Sequence, residues 1–127
     1  MSFALVACGV YRAQTVVIDA SISPGWLVLE HDNQRCTSPG LIHETITVSL
    51  EGFACSSADL PAFTDWTCVR RSKEASETLK EGVDYRNVST IEHAGRRFRV
   101  IEYTPGGKRA LESAGDAVKR YLSANPT

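Results

Sequence analysis

The residues able to do chemistry in this chain are Cys8, Cys36, Cys55 and Cys68, the histidines His31, His43 and His93, and the Ser56-Ser57 pair. No two cysteines have the C-x₂-C or C-x₄-C spacing of a zinc site and the histidines are scattered, so neither metal nor cofactor is expected. Ser56 and Ser57 follow a cysteine in a bend and lack the G-x-S-x-G frame of a hydrolase nucleophile. Small hydroxyls in such a bend commonly satisfy backbone groups, so no catalytic residue is assigned. His31 and Asp32 are adjacent and would point to opposite faces of a strand, which makes them, with Asn33, a polar turn rather than a metal pair. Pro105-Gly106-Gly107-Lys108-Arg109 lacks the spacing of a phosphate-binding loop. Two cations opening a helix oppose its dipole, so either an acidic neighbour offsets Lys108 and Arg109 or they hold an anion. Trp26 and Trp66 are read first as core, and Trp66 with Arg97 and Arg99 is assigned to contact with a partner.

Residues 1–7 carry no charge and run directly into Cys8-Gly9. Leu5-Val6-Ala7-Cys8 resembles the lipobox of bacterial lipoproteins, which implies lipidation of the Cys8 thiol and removal of the peptide before it. Small side chains suit the cleavage, and the thiol is the nucleophile for lipid transfer. Two or more acyl chains then hold the protein to a bilayer, because each buried CH₂ contributes about 0.8 kcal/mol and a single chain is marginal. Residues 1–7 are therefore read as a residual signal segment whose true start lies upstream, since a secretory signal carries a basic region and a longer apolar run. The alternative is that Phe3–Val10 is a buried first strand with Cys8 in the core. Lipidation of Cys8 leaves three thiols. Cys36 and Cys55 both sit in connections near strand ends and are paired as a disulfide, while Cys68 is read as a buried free thiol.

A chain with 14 Lys plus Arg against 15 Asp plus Glu, net charge -1, has no excess of cations for a polyanion, so nucleic acid is disfavoured. Its length fits one domain. The dominant signal is short strands separated by turn chemistry. Thr15–Asp19 and Trp26–Glu30 are expected to be neighbours across the Pro24-Gly25 turn, and Glu44–Leu50 alternates with Ile46, Val48 and Leu50 on one face. Gly52–Pro61 reads as a bend and loop, Asp65–Arg70 as a strand, and Arg70–Gly82 as a solvated loop or short surface helix. Val83–His93 and Arg96–Tyr103 form a hairpin at Ala94-Gly95. Leu111, Ala114, Val118, Tyr121 and Leu122 recur with helical spacing. The expected fold is mainly β, a sandwich of antiparallel sheets with a C-terminal helix packed on them. Residues 8–21 form the lipidated N-terminus and first strand, 22–123 the globular domain and 124–127 a frayed tail.

Residues 22–122, through Gly25-Trp26, the Gly52-x-x-x-Ser56-Ser57 bend and the terminal helix, are similar to a group of uncharacterised bacterial cell-envelope domains found on lipoproteins. That resemblance implies location and fold and supplies no activity. The expectation is a non-enzymatic envelope lipoprotein with a binding or structural role, anchored facing the periplasm or the cell exterior. It has no identified small-molecule substrate, and its partners are the membrane and an unknown protein. Two alternatives stand: an immunity or inhibitor protein that blocks a toxin or wall enzyme, and a small hydrolase, which would need His31 or His43 beside Ser56 and a carboxylate.

Overall fold

A computed structural model describes residues 13–36, 43–58 and 65–126. The expectations placed on residues 1–12, Cys8 and the lipobox included, lie outside the described residues. Among the described residues the chain folds as a two-sheet sandwich with an α-helix on an outer face. The first sheet has the order β3 (His43–Thr47), β1 (Ala13–Asp19), β5 (Asp65–Arg71), β6 (Ser76–Thr78). The second has the order β4 (Phe53–Cys55), β2 (Gly25–His31), β8 (Arg96–Tyr103), β7 (Tyr85–His93). Helix α1 spans Ala114–Ala124.

Both sheets are mixed, which the strand pattern alone does not reveal. From β1 to β5 the chain alternates between sheets, so successive strands of one sheet run the same way: β1 is parallel to both β3 and β5, and β2 is parallel to β4. Among the described residues antiparallel pairing enters only through the β5–β6 hairpin and through β8 against β2 and β7. The expected pairing of β1 with β2 is therefore wrong: they face each other as central strands of opposite sheets. Their apolar runs fit that role, since a central strand is covered on more than one side.

Between the sheets lie Val16, Ile18, Leu27, Leu29, Ile46, Val48, Cys68, Ile101 and Tyr103, all buried. A second core joins Val28, Phe98 and Val100 to Ala117, Val118 and Tyr121 of α1. Strand β8 thus serves both cores, with Phe98 and Val100 turned to the helix and Ile101 and Tyr103 turned to the first sheet. Ser113 caps α1 by accepting from the Asp116 amide at 3.1 Å. Trp26 fixes the approach to the helix by donating Nε1–H to the Glu112 carbonyl at 2.9 Å.

Several local expectations need correction. Leu111 lies before the helix and is fully exposed, because the cap at Ser113 starts α1 one turn later than the apolar stripe indicates. Leu50 is 71% exposed: β3 ends at Thr47, the chain turns, and the alternation is taken up at the other end by buried Glu44. Within Arg70–Gly82 there is no helix, and Arg70–Thr78 belongs to the β5–β6 hairpin, in which Arg70 pairs with Glu77 across the strands. Within the expected bend, Phe53–Cys55 adds a short strand to β2. The Ala94-Gly95 turn is as expected, with both residues at positive φ, 53° and 77°.

Candidate functional site

Strand directions define two poles. β1 and β3 begin, and β2 and β4 end, at the pole holding Ala13, His31, His43 and Cys55. The β1–β2 turn, the Leu50 turn and the segment leading into α1 lie at the opposite pole. At the first pole the interior becomes polar. Gln14, His31, Glu44 and Ser56 are all buried there.

These side chains form one relay. Arg99 Nη1 donates to Gln14 Oε1 at 3.3 Å, and Gln14 Nε2 donates to Glu44 Oε1 at 2.9 Å. Ser56 Oγ donates to Glu44 Oε2 at 2.8 Å and accepts from the Ala58 amide at 3.0 Å. Glu44 is thereby the counter-charge of Arg99 at one remove, through a neutral amide. The Ser56 hydroxyl is engaged on both sides by a carboxylate and a backbone amide, and no described histidine hydrogen-bonds to it. His43 Nε2 instead meets Thr15 Oγ1 at 2.8 Å. His31 contacts the Leu29 carbonyl through Nδ1 at 3.2 Å, which makes Nδ1 the protonated nitrogen and leaves the buried Nε2 without a hydrogen-bond partner. Burial, then the positive charge of Arg99, pushes its pKa down to about 4, so this imidazole is neutral at pH 7. His31 is thus a buried strand residue, not part of the polar turn expected for it.

The residues assigned to partner contact come to one flank of this pole. Arg99 Cζ lies 5.2 Å from the Trp66 ring centroid, a cation–π contact between facing strands of the two sheets. The Trp66 ring is tilted against Tyr85 at 5.7 Å. Arg97 is also on β8 but exposed, paired with Glu92 at 2.9 Å and with Asp32 at 3.7 Å. Arg96 is bound in both directions by Glu30, Nε to Oε2 and Nη2 to Oε1, each at 2.8 Å. Burial alone would raise the Glu30 carboxyl, but hydrogen bonds from Arg96, Tyr121 and Asn33 hold it below the usual carboxylate range. The basic stretch Arg96–Arg99 is therefore no uniform cationic face, because two of its three arginines have carboxylate partners.

The cations at Lys108 and Arg109 do not open a helix, since α1 begins at Ala114. Arg109 binds Glu102, which also accepts from Asn87 and the Ala110 amide. The Arg109 guanidinium foremost brings the Glu102 carboxyl down to about 2. Cys36 and Cys55 form the disulfide, with Cα atoms 5.8 Å apart, and Cys68 is a buried free thiol pushed up to about 12 by burial. Among the described residues no group of His, Cys, Asp and Glu is arranged to hold a metal ion, and no helix is long and apolar enough to cross a membrane. Sequence reasoning missed Glu44, Glu30 and Gln14. The one available signal was their strand parity, which places Gln14 with Val16 and Glu44 with Ile46 on the inward faces.

No protein-family model matches the chain, and no curated protein matches it in sequence. Among solved structures, the chain is similar to a Bacillus anthracis protein described as a "Putative Lipoprotein". The TM-score is 0.55 at 14% identity, covering 87% of this chain and 92% of the other. The two chains share a fold.

Proposed function

We propose that this protein is a bacterial cell-envelope lipoprotein, anchored through acyl chains on Cys8 and carrying a binding rather than a catalytic domain. The Cys36–Cys55 disulfide carries the reading. A structural bridge belongs to an oxidising compartment, and it leaves Cys8, within Leu5-Val6-Ala7-Cys8, as the thiol available for lipid. The fold shared with a Bacillus anthracis protein of lipoprotein description supports the same placement. The occupied Ser56 hydroxyl favours a non-enzymatic role over the hydrolase reading. Cells expressing the protein from its native gene and fed an alkyne fatty acid should yield a labelled membrane-bound species, lost in Cys8→Ala. A soluble protein with Met1 retained and Cys8 unmodified would overturn the placement.

An immunity or inhibitor role is the second reading, and the pole opposite Ala13 favours it. There Leu111 and Leu50 are exposed on either side of Pro24 and Gly25, lining adjoining clefts. Isolated exposed leucines are ordinary, but a pair in adjoining clefts is the kind of surface that partners cover. A photo-crosslinking residue at position 111 should give one defined adduct in living cells, abolished by Leu50→Asp. Absence of any adduct would tell against a partner at this pole.

A further inference from the structure

We propose that Arg99 and Trp66 form a recognition site for a carboxylate-bearing ligand with an apolar body, an inference that rests on the binding role proposed above but not on the lipid anchor. Arg99 is half-buried, and its only described polar partner is Gln14, which engages Nη1 alone. Nε and Nη2 donate to no described residue. The neighbouring arginines of β8 differ, since Arg96 and Arg97 are each bound by a carboxylate. An arginine taken partly out of water, with no direct carboxylate among the described residues, is held in place by its stacking on Trp66 and by the amide of Gln14. Both contacts orient the planar guanidinium, and neither occupies the fork that recognises a carboxylate through two parallel hydrogen bonds.

Arg99 keeps part of its surface exposed. β6 pairs with β5 only from Val69 to Arg71, so among the described residues no strand of the first sheet lies beyond β5 at the level of Trp66. The face of β7 that would otherwise be covered there stays partly open. Thr90 is directly opposite Arg99 in the β7–β8 pair and therefore shares its face, and Thr90 is exposed. Val88, also on β7, is half-buried against the inter-sheet core and supplies the apolar wall. A ligand seated here meets a guanidinium fork, a hydroxyl and an apolar wall on one side, with the indole behind the fork.

Charge selects a monoanion. Glu44 already balances Arg99 through Gln14, and Glu92 is balanced by Arg97 across the strands. A single added negative charge completes the fork, whereas a phosphate dianion adds a second charge that meets repulsion from Glu44.

The test uses the purified full-length chain in a Trp26→Phe background, so that Trp66 alone reports by fluorescence. N-acetyl-leucinate is titrated against its neutral isostere N-acetyl-leucinamide and against inorganic phosphate. The carboxylate should perturb Trp66 emission saturably in the millimolar range, with the amide at least about tenfold weaker, the factor that loss of a charge-assisted hydrogen bond produces. Arg99→Gln should weaken the carboxylate by a similar factor and Arg99→Lys should restore part of it. The comparison of acid with amide needs no substitution at Arg99, so it decides the matter even if Arg99 substitutions unfold the domain. Equal responses to acid and amide, a stronger response to phosphate, or no saturable response to the carboxylate up to about 50 mM would each overturn the assignment.

Discussion

Acidification from pH 7 to pH 4.5 should destabilise this domain through His31, and by an amount that can be isolated. Native His31 stays neutral down to about pH 4, whereas in the unfolded chain it takes up a proton near its ordinary value of 6.5. Between those values the unfolded state binds more protons, so stability falls as pH falls. The full benefit is present above pH 6.5 and is lost progressively toward pH 4. Over the interval from 7 to 4.5 the displacement corresponds to about 2 kcal/mol, at roughly 1.4 kcal/mol per pH unit over most of that range. Glu102 and Glu30, whose carboxyls are held low, act in a lower window: they support the fold above the ordinary glutamate range and withdraw that support only as pH drops through their native values. Urea unfolding of the wild type and of His31→Leu at both pH values measures the difference. Leucine suits the site because His31 continues the inward parity of Leu27 and Leu29 and makes one weak contact to the Leu29 carbonyl. The variant should lose about 2 kcal/mol less than wild type between pH 7 and 4.5. Parallel losses in the two proteins, or an imidazole NMR resonance of His31 that titrates near pH 6.5, would refute the reasoning.

Further outcomes follow from the same contacts. Glu30→Ala leaves Arg96 and the Tyr121 hydroxyl without their shared acceptor and should cost about 3 to 5 kcal/mol in urea unfolding, while a double Glu30→Met, Arg96→Met variant should cost clearly less, because no unpaired charge remains. Reduction of Cys36–Cys55, which closes a span of 19 residues, should remove about 3 kcal/mol. Native alkylation at pH 8 should leave Cys68 unmodified until the protein is unfolded, as mass mapping would show, because burial keeps the thiol protonated. Gly52→Ala should destabilise by about 1 to 3 kcal/mol, since Gly52 has φ of 90° and a Cβ there would meet the Trp26 carbonyl oxygen at 3.0 Å; a variant with an unchanged thermal midpoint would count against the close packing of the Leu50 turn on β2.

Local sequence determined much of the scaffold. The β-branched run of β1, the Ala94-Gly95 hairpin and the helical spacing of Ala114, Val118 and Tyr121 each act over a few residues, where periodicity and turn chemistry are decisive. The pairing of Cys36 with Cys55 was legible because both lie where strands end. Strand direction was not, because a strand's composition is the same whether its neighbour in sequence is beside it or across the core. Alternation between sheets, which made β1, β3 and β5 parallel, is a property of the whole chain. Burial of Glu30, Glu44 and Gln14 was equally hidden, since a buried polar residue is tolerated only where a distant partner completes it. Arg96 and Tyr121 do so for Glu30, and Ser56 does so for Glu44. Trp66 and Arg99 could be picked out from their residue types alone, but only the stacking of one sheet on the other brought the indole under the guanidinium. Side-chain chemistry is written residue by residue, whereas the site depends on which residues meet, and that is set by long-range packing.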